Sequence, residues 1–187
     1  MSRQDIGQEL ISLHLGCGKR YIPSFSYHID ARQLSHVDYV TSADDLHMFD
    51  DNSVDLVYSC HLLEHFRRNR VENVLKEWYR VLKVGGILRL AVPDFEKLVE
   101  VYLKTRDLKL ILGSLVGRQD YSENTHYIVF DFSSLSEVLD KVGFKEIHRY
   151  DWRKTIHKDC DDYSQAYIPH MDKEYGLLIS LNVECEK

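Results

Sequence analysis

Several short stretches of the chain combine residue types that can hold a nucleotide. Leu13-His14-Leu15-Gly16-Cys17-Gly18 runs an apolar segment into a G-x-G turn. Glycine lets such a turn form and lets a ligand approach the main chain closely, although any tight strand exit can use it too. Asp30 follows a second short apolar segment. A carboxylate there can accept hydrogen bonds from both hydroxyls of a ribose, but Asp-Ala-Arg is equally turn chemistry. Ser42-Ala43-Asp44-Asp45-Leu46 is an acidic bend. An aspartate in it can accept from an adenine amino group while a neighbouring N–H pairs with a ring nitrogen; taken alone, it reads as a solvated loop.

Histidines supply a second kind of chemistry. His61-Leu62-Leu63-Glu64-His65 has the H-x-x-E-H spacing of inverted zinc peptidases. On a helix the two histidines would share one face and could share a metal, with Glu64 as base. No third ligand stands out downstream, and the pentapeptide follows an apolar run directly. The alternative is that Leu62 and Leu63 enter the core while Glu64-His65 open a turn. His126 lies in a polar stretch, Asp120-Tyr-Ser-Glu-Asn-Thr-His-Tyr, expected to lie over the same edge of the fold. Arg67, Arg68 and Arg70 form a basic run that reads first as a solvated helix start and second as a contact for an anionic ligand. Asp94, after Pro93, reads first as a helix N-cap.

The elements that must position these residues alternate. Apolar or β-branched runs predict strands at 10–15, 26–30, 38–41, 54–60, 87–92, 144–150 and 177–183. Helical spacing predicts helices at 71–82, ended by Gly85-Gly86, at 95–102, and at 134–142, capped by Gly143. Such alternation implies a parallel sheet covered on both faces. The final strand follows its neighbour through a polar, turn-rich segment without a good helix, so it is expected to be antiparallel.

The motifs in order resemble class I S-adenosylmethionine (SAM)-dependent methyltransferases, and among them the small type 11 branch. They are Leu15-Gly16-Cys17-Gly18, Asp30, residues 43–46, Asp51-Asn52-Ser53-Val54-Asp55-Leu56-Val57, residues 61–65 and Arg80-Val81-Leu82-Lys83-Val84-Gly85-Gly86. The resemblance is strong over residues 10–95 and looser from Phe130 on. It implies an α/β, Rossmann-like three-layer sandwich, with a seven-stranded, mostly parallel sheet whose last strand is antiparallel. It implies SAM as cofactor, held by Gly16, Cys17, Gly18, Asp30, Ala43, Asp44, Leu46, Cys60 and His61. Gly16 and Gly18 would pass beneath methionine and ribose, Asp30 would hold the ribose hydroxyls, Ala43 and Asp44 would contact adenine with Leu46 nearby, and Cys60 and His61 would line the methionine side. Two features depart from the family pattern. His14 stands where the family has an acid that helps to hold the SAM ammonium. Only residues 19–25 separate the G-x-G from the second strand, so the first crossover helix must be shortened or lost, as Pro23 also suggests.

Methyl transfer to oxygen needs a proton acceptor, for which His65 is the first candidate and His126 the second. No Asn-Pro-Pro-Tyr-like tetrapeptide follows the fourth strand, which mildly favours an oxygen or small-molecule acceptor; resemblance to methyltransferases of polysaccharide pathways implies a sugar or other small metabolite, such as a polysaccharide precursor hydroxyl. A non-catalytic SAM-binding protein and a zinc hydrolase using His61, Glu64 and His65 are the alternatives. The 187 residues fit a single domain, 1–187, and no resident metal is expected. A net charge of −6 argues against broad nucleic-acid binding. Cys17, Cys60, Cys160 and Cys185 form no C-x-x-C pair. The opening residues lack a leader-like apolar stretch and no run reaches membrane-spanning length, so a cytoplasmic location is expected.

Overall fold

The computed structural model describes residues 10–121 and 123–187; the leader reading at residues 1–9, and that part of the 1–187 domain, lie outside them. The strands are β1 (Ser12–Leu15), β2 (Tyr27–Asp30), β3 (Tyr39–Val40), β4 (Val54–Cys60), β5 (Leu82–Pro93), β6 (Lys145–Arg149), β7 (Tyr167–Ile168), β8 (Leu177–Leu178) and β9 (Ser180–Glu186); all but β7, which lies in the polar, turn-rich segment, fall on the apolar runs. The helices are α1 (Val71–Val81), α2 (Phe95–Thr105), α3 (Lys109–Val116) and α4 (Phe132–Val142). Seven strands form one sheet in the order β3-β2-β1-β4-β5-β9-β6, and β9 runs antiparallel to both its neighbours. This is the Rossmann-like arrangement expected from the sequence, with the last strand reversed.

One face of the sheet is apolar. Leu13 and Leu15 of β1, Val57 of β4, Leu88, Leu90 and Val92 of β5, and Leu181 and Val183 of β9 all point into one core. Alternation along each strand puts them there. Helix α1 covers this core with Val74, Leu75, Trp78 and Val81, and α4 with Leu135 and Leu139. An Asp131–Ser134 capping box starts α4, and Gly143, at φ 123°, ends it where a non-glycine residue would be strained.

The opposite face is built differently. No helix occupies residues 16–26, the shortened crossover expected from Pro23. Ile22 and Phe25 pack there against Tyr58. The polar segment after β6 folds back over them: Tyr58 donates its hydroxyl to Asp162, His157 lies 4.2 Å from the Tyr58 ring, and Arg20 Nε donates to the Asp161 carbonyl at 3.1 Å. Irregular chain therefore takes the place of the missing helix.

Three expectations need correction. Gly85-Gly86 do not cap α1; Leu82 is already extended and the glycines lie inside β5, beside a register shift on β4. Gly85 takes φ 78° at that irregularity, so the pair bends a strand that continues from the helix without a loop. The apolar run at 177–183 is split, with Leu177–Leu178 pairing with β7 and only Ser180 onward entering the main sheet. Helix α3 was not anticipated, because KLILGSLV is apolar without a stripe and carries Gly113. Asp94 does cap α2, accepting from the Glu96 and Lys97 amides.

Candidate active site

The carboxyl ends of β1, β2 and β4 open into one cleft of about 1190 Å³. Gly16 and Gly18 form its floor at φ 61° and 58°. A Cβ on Gly16 would come within 2.7 Å of the Leu62 side chain, so this turn needs glycine for both conformation and space. Asp30 holds the turn in place: its Oδ2 accepts from the Gly18 amide at 2.8 Å, and its Oδ1 accepts from the amide and Nε of Arg32 at 2.9 and 3.0 Å. Burial raises the pKa of Asp30, but these donors outweigh it and the net shift is downward, which keeps the group ionised. The Ala43 carbonyl accepts from Trp78 Nε1 at 2.8 Å, which ties the acidic bend to α1.

Gly16, Cys17, Gly18, Asp30, Ala43, Cys60, His61, His65 and His126 all line this cleft. Asp44 and Leu46 are not among its lining residues. Asp44 bonds to Ser42 and Arg70, and Leu46 is fully buried in the apolar core, its amide donating to Glu77. Cys17 is no reactive thiol, since burial and the nearby Asp30 charge push its pKa up to about 12. His14 does not reach the cleft. It is buried 5.4 Å from the rings of both Phe25 and Tyr58, and burial, with His28 and His157 nearby, takes its pKa down to about 3.

The far end of the cleft gathers imidazoles around a buried carboxyl group. Leu63–His65 make a single 3-10 turn, and His61 precedes it at φ 50°. The i, i+4 helical pair that H-x-x-E-H suggested is therefore absent. Instead, Glu64 and His65 meet His126, with ligand atoms within 4.8 Å of one another. His65 and His126 sit with ring centroids 4.7 Å apart. His61 Nδ1 is 3.4 Å from Glu64 Oε1, and its Nε2 is 3.2 Å from Ser180 Oγ. Burial lowers the pKa of His61 to about 3 and of His126 to about 4, lowers that of His65, and raises that of Glu64 to about 8. Sequence reasoning brings His126 to the same edge as His65 but not into contact with it, because the contact is made by a loop laced onto α3, where His126 N donates to the Val116 carbonyl.

Other lining residues carried no clear sequence signal. Arg32, Arg20 and Tyr163 face the cleft, and Arg20 lies 4.4 Å above the Tyr163 ring. Arg32, two residues after Asp30, could have been found as its local partner. Tyr163 comes from the turn-rich segment and could not. Arg67, Arg68 and Asn69 line a separate pocket that shares Tyr127 with the cleft.

Residues 19–90 match the family model described as a methyltransferase domain. No curated protein matches the sequence. Solved structures share the fold. A SAM-dependent methyltransferase from Thermotoga maritima aligns at TM-score 0.62 and 19% identity, over 97% of this chain and 84% of that one. A SAM-dependent methyltransferase from Archaeoglobus fulgidus gives 0.60 and 15%, over 95% and 86%. The 1,6-didemethyltoxoflavin-N1-methyltransferase of Burkholderia thailandensis, solved with its acceptor and S-adenosylhomocysteine, gives 0.59 and 14%, over 97% and 72%. Among the described residues no helix is long and apolar enough to cross a membrane.

Proposed function

We propose that this chain, a class I methyltransferase by its matched segment and its fold, transfers a methyl group from SAM to a hydroxyl of a small polar acceptor such as a sugar, within a single domain spanning residues 1–187. One observation carries the reading: the bare turn at 16–18, the ionised Asp30 and the anchored Ala43 converge on one cleft whose far end holds His65 and His126. That cleft, at about 1190 Å³, exceeds the roughly 300–1,000 Å³ of a single ligand site, so it has room for cofactor and acceptor together.

The residues present fit the cofactor. Gly16 and Gly18 offer backbone without a side chain to obstruct it, and Asp30 offers a carboxylate for ribose hydroxyls. Ser42 and Ala43 are the small residues of the bend that face the cleft, beside which an adenine fits. Cys60 and His61 border the methionine portion. Asp44 supports this end through Arg70 rather than from the cleft wall, and Leu46 supports it from the core. SAM supplies a sulfonium-bound methyl group. The chain then has to align an acceptor oxygen with that methyl group, which can provide much of the rate. His65 and His126 present ring nitrogens where the acceptor enters, and they are the residues we assign to activating its oxygen. Arg20, stacked on Tyr163, and Tyr127 bring further polar groups to that end, which suits a hydroxylated acceptor.

The test combines a binding and a turnover experiment. Calorimetric titration with S-adenosylhomocysteine should give one site, and a panel of hydroxylated acceptors with methyl-labelled SAM should give a labelled product. Binding without any labelled product would leave a non-catalytic SAM-binding protein. No binding at all would end the reading.

A further inference from the structure

We infer that Glu64, His65 and His126 form a binding site for one divalent transition-metal ion of the zinc class at the acceptor end of the cleft. The binding stands on these residues alone; its consequence for the acceptor rests on the methyltransferase reading above.

Three observations carry it. First, the donor atoms of the three side chains already lie within 4.8 Å of one another, although His126 is far from the other two in sequence. Two metal bonds of about 2.0–2.1 Å meeting at a tetrahedral angle hold their ligand atoms roughly 3.4 Å apart. The separation of 4.0 Å between His126 Nε2 and Glu64 Oε1 therefore needs only a small side-chain rotation to close.

Second, Glu64 is 1% exposed and neither of its carboxylate oxygens has a hydrogen-bond partner. A buried carboxyl group without partners is costly, and a buried carboxylate is ordinarily paired or coordinated to a metal. Here Oε1 sits 3.4 Å from His61 Nδ1 and 4.0 Å from His126 Nε2, and among the described residues no lysine or arginine pairs with the group.

Third, the tautomers are set for ligation. His65 Nδ1 lies 3.1 Å from the Thr125 carbonyl and His126 Nδ1 lies 3.0 Å from the Ser114 carbonyl. A carbonyl only accepts, so each Nδ1 carries the proton and donates it. Each Nε2 is left with its lone pair. Metal-binding histidines characteristically donate their second ring N–H in this way, which fixes the ring and raises its basicity. Two imidazole nitrogens and one carboxylate suit zinc, cobalt or nickel, whereas magnesium and calcium prefer oxygen ligands throughout.

His65 and His126 line the cleft while Glu64 lies behind them, so the open coordination position faces the acceptor. With the metal in place His65 and His126 act on the acceptor through it rather than by taking its proton: a hydroxyl bound there would lose its proton to solvent more readily. The oxygen–carbon bond then forms as the sulfonium carbon–sulfur bond breaks, which leaves a thioether, the methylated acceptor and one released proton.

The test uses the full chain, stripped with chelator and titrated with zinc chloride by calorimetry and with cobalt chloride by visible absorption. S-adenosylhomocysteine is titrated into the same samples as a check on folding. The expected result is one equivalent of metal, an intensified cobalt spectrum, and at least a tenfold weaker affinity in each of Glu64→Gln, His65→Ala and His126→Ala. His126→Asn, which keeps a polar group at that position, should lose metal equally while still binding S-adenosylhomocysteine. No metal uptake, or uptake that persists undiminished in the His126 variants, overturns the site. If S-adenosylhomocysteine binds and metal does not, the metal site fails and the methyltransferase reading stands. If metal binds and S-adenosylhomocysteine does not, the reverse holds.

Discussion

The two ends of the cleft are built by different means. At the end we assign to adenosine, three short segments each arrive on the exit of a strand: residues 16–18 after β1, Asp30 at the end of β2, and Ala43 just beyond β3. The first two are tied locally, Asp30 binding Gly18 and Arg32, while the bend at Ala43 is anchored to Trp78 of α1. At the acceptor end the partners are remote. His65 meets His126, and Ser180 meets His61. Local chain geometry fixes the first end; tertiary packing of polar and aromatic groups fixes the second.

This difference separates their expected responses to change. The largest effect belongs to the acceptor end. Removing the imidazole of His65 should lower turnover by about 10²–10⁴-fold, with S-adenosylhomocysteine affinity unchanged; a variant that keeps full turnover would remove His65 from the activating group. His126→Ala should act in the same direction.

At the adenosine end, Gly16→Val should weaken S-adenosylhomocysteine binding by about tenfold or more, because it combines a φ of 61° with a contact to Leu62 that would lie at 2.7 Å. A variant that binds as well as the native chain would show that the turn does not lie beneath the ligand.

A third difference concerns pH. His14 is buried beneath the segment after β6 and His157 belongs to that segment, and burial lowers their pKa values from 6.5 to about 3 and about 4. A buried imidazole of this kind binds fewer protons than it does in the unfolded chain. Stability therefore rises with pH between the two values, is full above about 6.5, and is lost as pH falls toward the folded value. His14 alone should cost about 2 kcal/mol between pH 6.5 and 5. Denaturant melts across that range would measure it, and hydrogen exchange should show residues 150–166 opening before 16–30. A flat stability profile, or equal opening of both ends, would erase the contrast.

The same division explains what the sequence made legible. The apolar face of the sheet follows strict alternation and helical spacing, so β4, α1 and α4 could be read almost to the residue. The strand exits that line the cleft were legible because they carry recognisable short patterns, as at Gly16–Gly18 and Asp30. Asp44 and Leu46 show the limit of that reading: the bend was found, but which of its side chains turn toward the cleft depends on Arg70 and Glu77, far along the chain. The acceptor end was hardly legible. His126 has no sequence link to His65, α3 lacks an amphipathic stripe, and the polar segment after β6 gave no hint that it replaces a crossover helix.

The convergence of the three strand exits on one adenosine is measured most directly by titrating S-adenosylhomocysteine into the native chain and into Asp30→Ala. Saturable one-site binding that weakens by about tenfold in the variant, with the fold intact by circular dichroism, is the predicted result. Equal affinity in the two proteins, or no binding by the native chain, would contradict it.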